Sequence, residues 1–392
     1  MYKHILPAAL FISVISGCAQ TPKHVTPTEA GKHQWDAARA SVMASLGKDQ
    51  YESGSFEKSR QSLNEAMKLD PENALIRVLS AKLAIEQGQF ELAEKELRLA
   101  RQFDPRNAEA DYLGGVVHQR WQKPETAYEF YSRASEKSPT EISYLMAKAE
   151  MLVAMDRAPE ALKMLRDKVV FFEHSAAIRD AVGQLLVGQK DYPAAVDMLR
   201  VASVLTTDDL TIREHLGLAL YYAKQYEESS AVLTKLVADE RFAKRSDLHA
   251  TLGECLCELN RFKEAREAFE IATKLDPGTA GLWLGLGKSA LQYGDLNRAD
   301  LALRKATSLD PASNEANLML GYLRLRQDRL PDALAAFQKA GGNASTDTLS
   351  ICMTGYILEK LGRTDEAIRC YSKALKRDPD DELATRLMAG VQ

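Results

Sequence analysis

Between successive prolines the chain repeats one order of residue types. An apolar stretch leads to a glycine or alanine, and a second stretch of helical spacing follows, bearing a small residue, an aromatic or leucine, and an alanine. The punctuation is equally regular: LDP at 69–71, 275–277 and 309–311, FDP at 103–105, SP at 138–139 and RDP at 377–379. Prolines 71, 105 and 139 are 34 apart, as are 277 and 311. Apolar residues three and four apart predict amphipathic helices, and a period of this length holds two of them. Proline closes the second helix, because it cannot donate to the helical ladder and its ring clashes with the preceding turn. The pattern predicts an all-α chain of antiparallel helix pairs.

A frame counted from Ala40 gives units at 40–73, 74–107, 108–141, 142–175, 176–209 and 210–243; after a two-residue slip it continues at 246–279, 280–313, 314–347 and 348–381. The eighth place of the ten units holds Gly47, Ala81, Gly115, Ala149, Gly183, Gly217, Gly253, Gly287, Gly321 and Gly355. The twentieth holds Ser59, Ala93, Ala127, Ala161, Ala195, Ser229, Ala265, Ala299, Ala333 and Ala367. Small residues on both helices are expected to let the two backbones approach, with larger neighbours such as Leu46, Leu216, Leu252, Leu286 and Leu320 filling the layer beside them. This pattern resembles the tetratricopeptide repeat over residues 40 to 381, 342 of 392. The resemblance implies an α-solenoid, a right-handed superhelix of about ten helix-turn-helix units.

The departures sit mostly in the middle. Glu173, Thr207, Arg241 and Ser345 stand where other units have proline, and Lys168 and Leu236 where most have alanine. An irregular or bent stretch is expected from 166 to 247. A repeat array also needs covered ends. Residues 382–392 place Leu383 and Leu387 on one helical face as a closing helix, and HQWDAARASVMASL is expected to lengthen the first helix, with Trp35 over its open end.

Composition changes the picture little: 45% hydrophobic, 27% charged, and a net charge of −4 from 51 basic and 55 acidic residues. The chain carries no dense Lys/Arg block, so no nucleic-acid partner is expected. The N-terminus is more telling. Residues 1–17 pair a lysine with an apolar run from Ile5 to Ile15, the length of a secretory h-region and well short of the ~20 residues that span a bilayer. Ser16-Gly17-Cys18 resembles a bacterial lipobox, which implies cleavage after Gly17 and lipid attachment to Cys18; the alternative is a plain signal peptide followed by an incidental cysteine. Ala19 in place of aspartate implies passage to the outer membrane, facing the periplasm, with residues 18–39 as tether and N-terminal extension.

No catalytic residue, cofactor or metal site is expected. Gly287-Lys288-Ser289 ends like a phosphate loop, but Gly281 is one place too far away and the segment reads as helix. Cys255, Cys257, Cys352 and Cys370 read as small core or groove residues without ligand spacing. Once the signal, tether, ten units and closing segment are subtracted, nothing remains for a catalytic domain. The family resemblance places ligands along the concave face, and carried over by place this set includes Tyr51, Lys82, Tyr112, Gln119, Arg120, Glu150, Gln184, Tyr221, Tyr222, Glu254, Leu284, Lys288, Tyr322, Arg326, Tyr356 and Lys360. The tyrosines read as a groove lining for a protein or peptide partner, or in part as packing between repeats; a large apolar body with few torsions and one hydroxyl suits either. Within this class the chain resembles outer-membrane lipoproteins that assist assembly of pili or secretion machinery, which makes such a lipid-anchored scaffold the first expectation. An organiser of peptidoglycan or other cell-wall enzymes, or a soluble adaptor if Cys18 is unmodified, are the alternatives.

Overall fold

The computed structural model describes residues 29–342 and 348–391. Cys18 and the whole of 1–28 lie outside the described residues, as does Ser345. Every described regular element is an α-helix, and there are twenty-one. They fall into two compact units, one up to Met155 and one from Asp156. The first unit holds α1 (Glu29–Glu52), α2 (Phe56–Leu69), α3 (Ala74–Glu86), α4 (Phe90–Phe103), α5 (Ala108–Arg120), α6 (Pro124–Lys137) and α7 (Ile142–Ala154). The second opens with α8 (Ala158–Val169), α9 (Ala176–Gly188), α10 (Tyr192–Leu205), α11 (Leu210–Tyr222), α12 (Tyr226–Val237), α13 (Ser246–Glu258) and α14 (Phe262–Leu275). It continues with α15 (Ala280–Tyr293), α16 (Leu296–Leu309), α17 (Asn314–Arg326), α18 (Leu330–Gly342), α19 (Leu349–Lys360), α20 (Thr364–Arg377) and α21 (Glu382–Val391).

Local chemistry explains the boundaries. Asn73, Asn107, Ser175, Asp209 and Ser313 each cap the helix that follows with a side-chain oxygen that accepts from its first-turn N–H groups, each cap contributing about 1 kcal/mol. At the other end the Asp70 N–H donates to the Ala66 carbonyl at 2.9 Å, and Pro71 prevents a further turn. Inside each unit one hydrophobic cluster gives way to the next, for example Ala40, Leu63 and Ile76, then Val78, Leu97 and Leu113. Each helix pair thereby buries its apolar face on its neighbour, which defines a repeat solenoid.

All twenty small residues of the eighth and twentieth places are buried, and the glycines have a second neighbour besides the twentieth place. A Cβ built on Gly115 would lie 2.4 Å from the Tyr131 ring, on Gly183 2.5 Å from Leu199, on Gly321 2.5 Å from Phe337, and on Gly355 2.5 Å from Tyr371. The glycine therefore makes room for the large residue at the twenty-fourth place. The sequence obeys the same rule: Tyr131, Phe269, Phe337 and Tyr371 are all matched with glycine, whereas Ala81 and Ala149 occur only with Leu97 and Leu165. Where the twentieth place is serine, its hydroxyl donates to the carbonyl of the eighth, Ser59 to Gly47 at 2.7 Å and Ser229 to Gly217 at 2.8 Å.

The positive-φ residues form a third column. Gly54, Gly88, Gln122, Asp156, Lys190, Lys224, Asn260, Gly294, Asp328 and Gly362 all occupy the fifteenth place and are the positive-φ residues among those described. They reverse the chain between the two helices of a pair. A residue with a Cβ is strained there by ~1–2 kcal/mol, partly offset by glycine's larger unfolded-state entropy. Lys190→Gly is accordingly expected to stabilise the chain by about 0.5 kcal/mol, and Gly88→Ala to destabilise it by about 1 kcal/mol. Thermal melts of the two variants check both signs.

Three expectations need correction. Leu46 fills no layer: it is 45% exposed, because among the described residues no pair precedes its own. Trp35 stands out from α1 at 67% exposure instead of covering its end. The middle is irregular only in its connections: 170–175 and 238–245 are long, while 206–209 is an ordinary four-residue link despite Thr207, and the helices between them are well formed. The closing segment does form α21, whose Leu383 and Leu387 pack on Ile351, Cys352 and Ala374.

A candidate partner-binding groove

The proposed lining residues sit on the first helix of their pairs, and the structure divides them by what they touch. In the first unit Tyr112 on α5 is half-buried, stacked on Tyr144 at 4.8 Å and tilted against Tyr131 at 5.5 Å. Tyr131 donates from its hydroxyl to Gln119 Oε1 at 2.6 Å, and Gln119 Nε2 donates onward to Glu150 Oε1 at 3.0 Å. Arg120 is exposed at the end of α5. Tyr112 thus does structural work between repeats.

In the second unit Tyr221 and Tyr222 end α11 side by side, with ring centroids 5.3 Å apart in a T-shaped arrangement. Tyr192 stacks on Tyr222 at 5.4 Å, and Tyr226 lies 6.2 Å from Tyr221. Four tyrosines from α10, α11 and α12 therefore meet in one cluster. Tyr192 and Tyr226 were missed in the sequence; both occupy the seventeenth place, the first residue of the second helix, where Phe56, Phe90 and Phe262 also fall. That recurring aromatic was the available signal.

A cleft of about 380 Å³ opens beside the cluster, lined by Tyr221, Tyr226, Glu254, Cys257, Glu258, Phe269, Gly281, Leu284, Lys288 and Glu315. Tyr221 donates to Glu254 Oε2 at 2.5 Å, and Lys288 Nζ pairs with Glu315 Oε1 at 2.7 Å. Burial, with the Glu254 carboxylate beside it, pushes the Tyr221 hydroxyl well above its ordinary value. Burial likewise pushes the Cys257 thiol up to about 11, so at neutral pH it is an un-ionised wall of the cleft and a poor nucleophile.

The remaining candidates are committed elsewhere. Tyr322 meets Phe337 edge-on at 5.3 Å, and Arg326 Nη1 donates to the Leu291 carbonyl at 2.8 Å, tying α17 to α15. Tyr356 is half-buried with the Lys360 ammonium 5.0 Å from its ring centroid. Gly287-Lys288-Ser289 lies inside α15. Among the described residues no group of His, Cys, Asp or Glu is placed to hold a metal ion.

One polar link between repeats carries a titration. His215 Nδ1 on α11 lies 2.7 Å from Asp180 Oδ1 on α9, and Gln184 also donates to Asp180. This hydrogen bond, with further carboxylates at Glu214 and Asp209, holds the imidazole above its ordinary value against the opposing effect of burial. A raised folded value means the pair stabilises fully below about pH 6.5 and loses that contribution as pH rises through the folded value. The melting-temperature advantage of the wild type over Asp180→Asn is expected to be largest near pH 5.5 and to shrink by pH 8.5.

Stacked helix pairs, paired small places and a tyrosine-lined helix face together define an all-α solenoid of tetratricopeptide repeats. Sequence comparison agrees: tetratricopeptide repeat profiles match residues 50–114 and 352–381, and the profile of the cilia and flagella-associated protein 70 C-terminal domain matches 206–343. The C-terminal part of a TPR repeat-containing protein from Cytophaga hutchinsonii superimposes with a TM-score of 0.51 at 15% identity, covering 61% of this chain and 98% of that one. YrrB, described as a TPR protein with an unusual peptide-binding site, gives 0.41 at 19% identity, covering 48% and 96%. MamA gives 0.40 at 19% identity, covering 42% and 95%. No curated protein sequence matches the chain.

Proposed function

We propose that this chain is a non-enzymatic scaffold, lipid-anchored through Cys18, that binds a protein partner in the groove beside Tyr221 and Tyr222. It would face the periplasm from the outer membrane of a bacterium and assist assembly of a pilus or secretion complex. The observation that carries the reading is the four-tyrosine cluster opening onto the cleft on α13 and α15: Tyr222 is 47% exposed, so aromatic surface is left for a partner to cover. Rigid aromatic bodies with a polar tip are the side chains that dominate protein interfaces. Anchoring raises the local concentration of whatever is bound at the membrane. Supporting the anchor are the apolar run and the Ser16-Gly17-Cys18 sequence; among the described residues no helix is long and apolar enough to cross a membrane.

The test is crosslinked capture from envelopes, with mass spectrometry of the captured partners. Secretin, pilus or secretion components support the assembly reading; cell-wall enzymes replace it with the envelope-organising alternative. Tyr221→Ala combined with Tyr222→Ala is expected to weaken capture at least tenfold while the helical circular-dichroism signal is retained, since each hot-spot truncation costs ~2 kcal/mol or more. Unchanged capture moves the site away from this cluster.

A further inference from the structure

Gly281 is the odd residue of the cleft. It is the second residue of α15, and a Cβ built on it would meet nothing within 4 Å. The eighth-place glycines of this unit are required by packing; Gly281 is not, and glycine weakens a helix relative to alanine. Its bare backbone instead forms part of the cleft lining, together with Leu284 and the carboxylates of α13. Glycine at a place with free space in front of it is the residue that lets another chain approach the backbone closely.

The walls define what would enter. Glu254 and Glu258 on α13 and Glu315 on α17 face a single cation, Lys288, which is itself paired with Glu315. Glu254 accepts from Tyr221, while Glu258 lies close enough to Tyr226 to raise its hydroxyl beyond what burial alone does. The cleft therefore combines an apolar floor, aromatic rings and an excess of negative charge. An apolar stem ending in a positive charge is complementary to all three, since a cation gains from carboxylates and from a tyrosine ring within about 6 Å. Resting on the groove reading above, we infer that the cleft receives a lysine or arginine side chain of the protein partner. Its stem lies along Leu284 and Gly281, and its charge lies among Glu254, Glu258 and Tyr226.

The test uses the full chain, immobilised, and a phage-displayed library of random dodecapeptides as the probe. Peptides containing lysine or arginine are expected to be enriched at least tenfold over the starting library. That enrichment is expected to vanish on Gly281→Leu, whose side chain enters the cleft from a position where the added Cβ has no atom within 4 Å, and to fall on Glu258→Gln. A melting curve for Gly281→Leu at or above wild type shows that loss of binding is not loss of folding. Enriched peptides without basic residues, still lost on Tyr221→Ala, overturn the cation inference and leave the groove reading standing. Peptides indifferent to Gly281→Leu, Tyr221→Ala and Glu258→Gln, or no enrichment at all, overturn both.

Discussion

Gly321→Ala is expected to destabilise the chain by about 1–2 kcal/mol, although alanine is the better helix former. Two effects of one methyl group compete. Replacing glycine inside α17 gains at most ~1 kcal/mol of helix propensity. Against that, the new Cβ would lie 2.5 Å from the ring of Phe337, which is fully buried. Overpacking of this kind costs ~1–3 kcal/mol, so packing wins. Three further variants separate the terms. Phe337→Leu recreates the pairing seen with Ala81 and Leu97, so the double variant is expected to lose less than the sum of the singles, with a coupling of about 1 kcal/mol. Gly281→Ala, where the added methyl meets nothing within 4 Å, is expected to shift stability the other way by a few tenths of a kcal/mol. Urea unfolding followed by circular dichroism reads all four. Additive singles, or Gly281→Ala and Gly321→Ala moving together, would show that the eighth place is set by propensity and not by the ring opposite.

The solenoid was legible because its causes are periodic. A proline that ends a helix, a small residue that admits a large one and an asparagine that caps the next helix all recur at fixed places, so any one unit can be read from the others. The columns were found, but one partner was not: beside the twentieth place, whose Ser59 and Ser229 reach the eighth-place carbonyls, the glycines also make room for the side chain at the twenty-fourth. The left-handed turn column was harder to see, because six of its ten members are not glycine and the strain is carried by Gln122, Asp156, Lys190, Lys224, Asn260 and Asp328. The groove was only half legible. Place in the frame put Tyr221, Glu254, Leu284 and Lys288 on one face, and they do line one cleft. It gave no means of separating Tyr221 from Tyr322 and Tyr356, since all three are half-buried and what differs is the neighbour: Glu254 and open space for one, Phe337 and Lys360 for the others. The unaligned ends misled for the opposite reason. Leu46 was assigned by analogy with interior positions and Trp35 as a cover for the open end, yet both stand exposed.

Cys18→Ala is expected to move the chain from the membrane fraction to the soluble fraction almost completely. The expectation rests on energetics outside the solenoid. The apolar run from Ile5 to Ile15 is eleven residues, about half of what a spanning helix needs, and among the described residues no helix is long and apolar enough to cross a membrane. On the proposed anchor, retention comes from lipid. Each buried CH₂ contributes ~0.8 kcal/mol, a single acyl chain gives only marginal and reversible binding, and two or more hold a protein firmly. If Cys18 carries the chains as proposed, a variant without that cysteine loses the site of lipid attachment altogether. The paired measurement is the mass of the N-terminal peptide of the wild type, expected to begin at Cys18 and to carry the acyl groups. A variant that stays with the membrane, beside a wild type whose N-terminal peptide is unmodified, would show that the chain is held by its partner. The tyrosine cluster would then be the anchor as well as the binding site, and Tyr221→Ala with Tyr222→Ala would release it where Cys18→Ala does not.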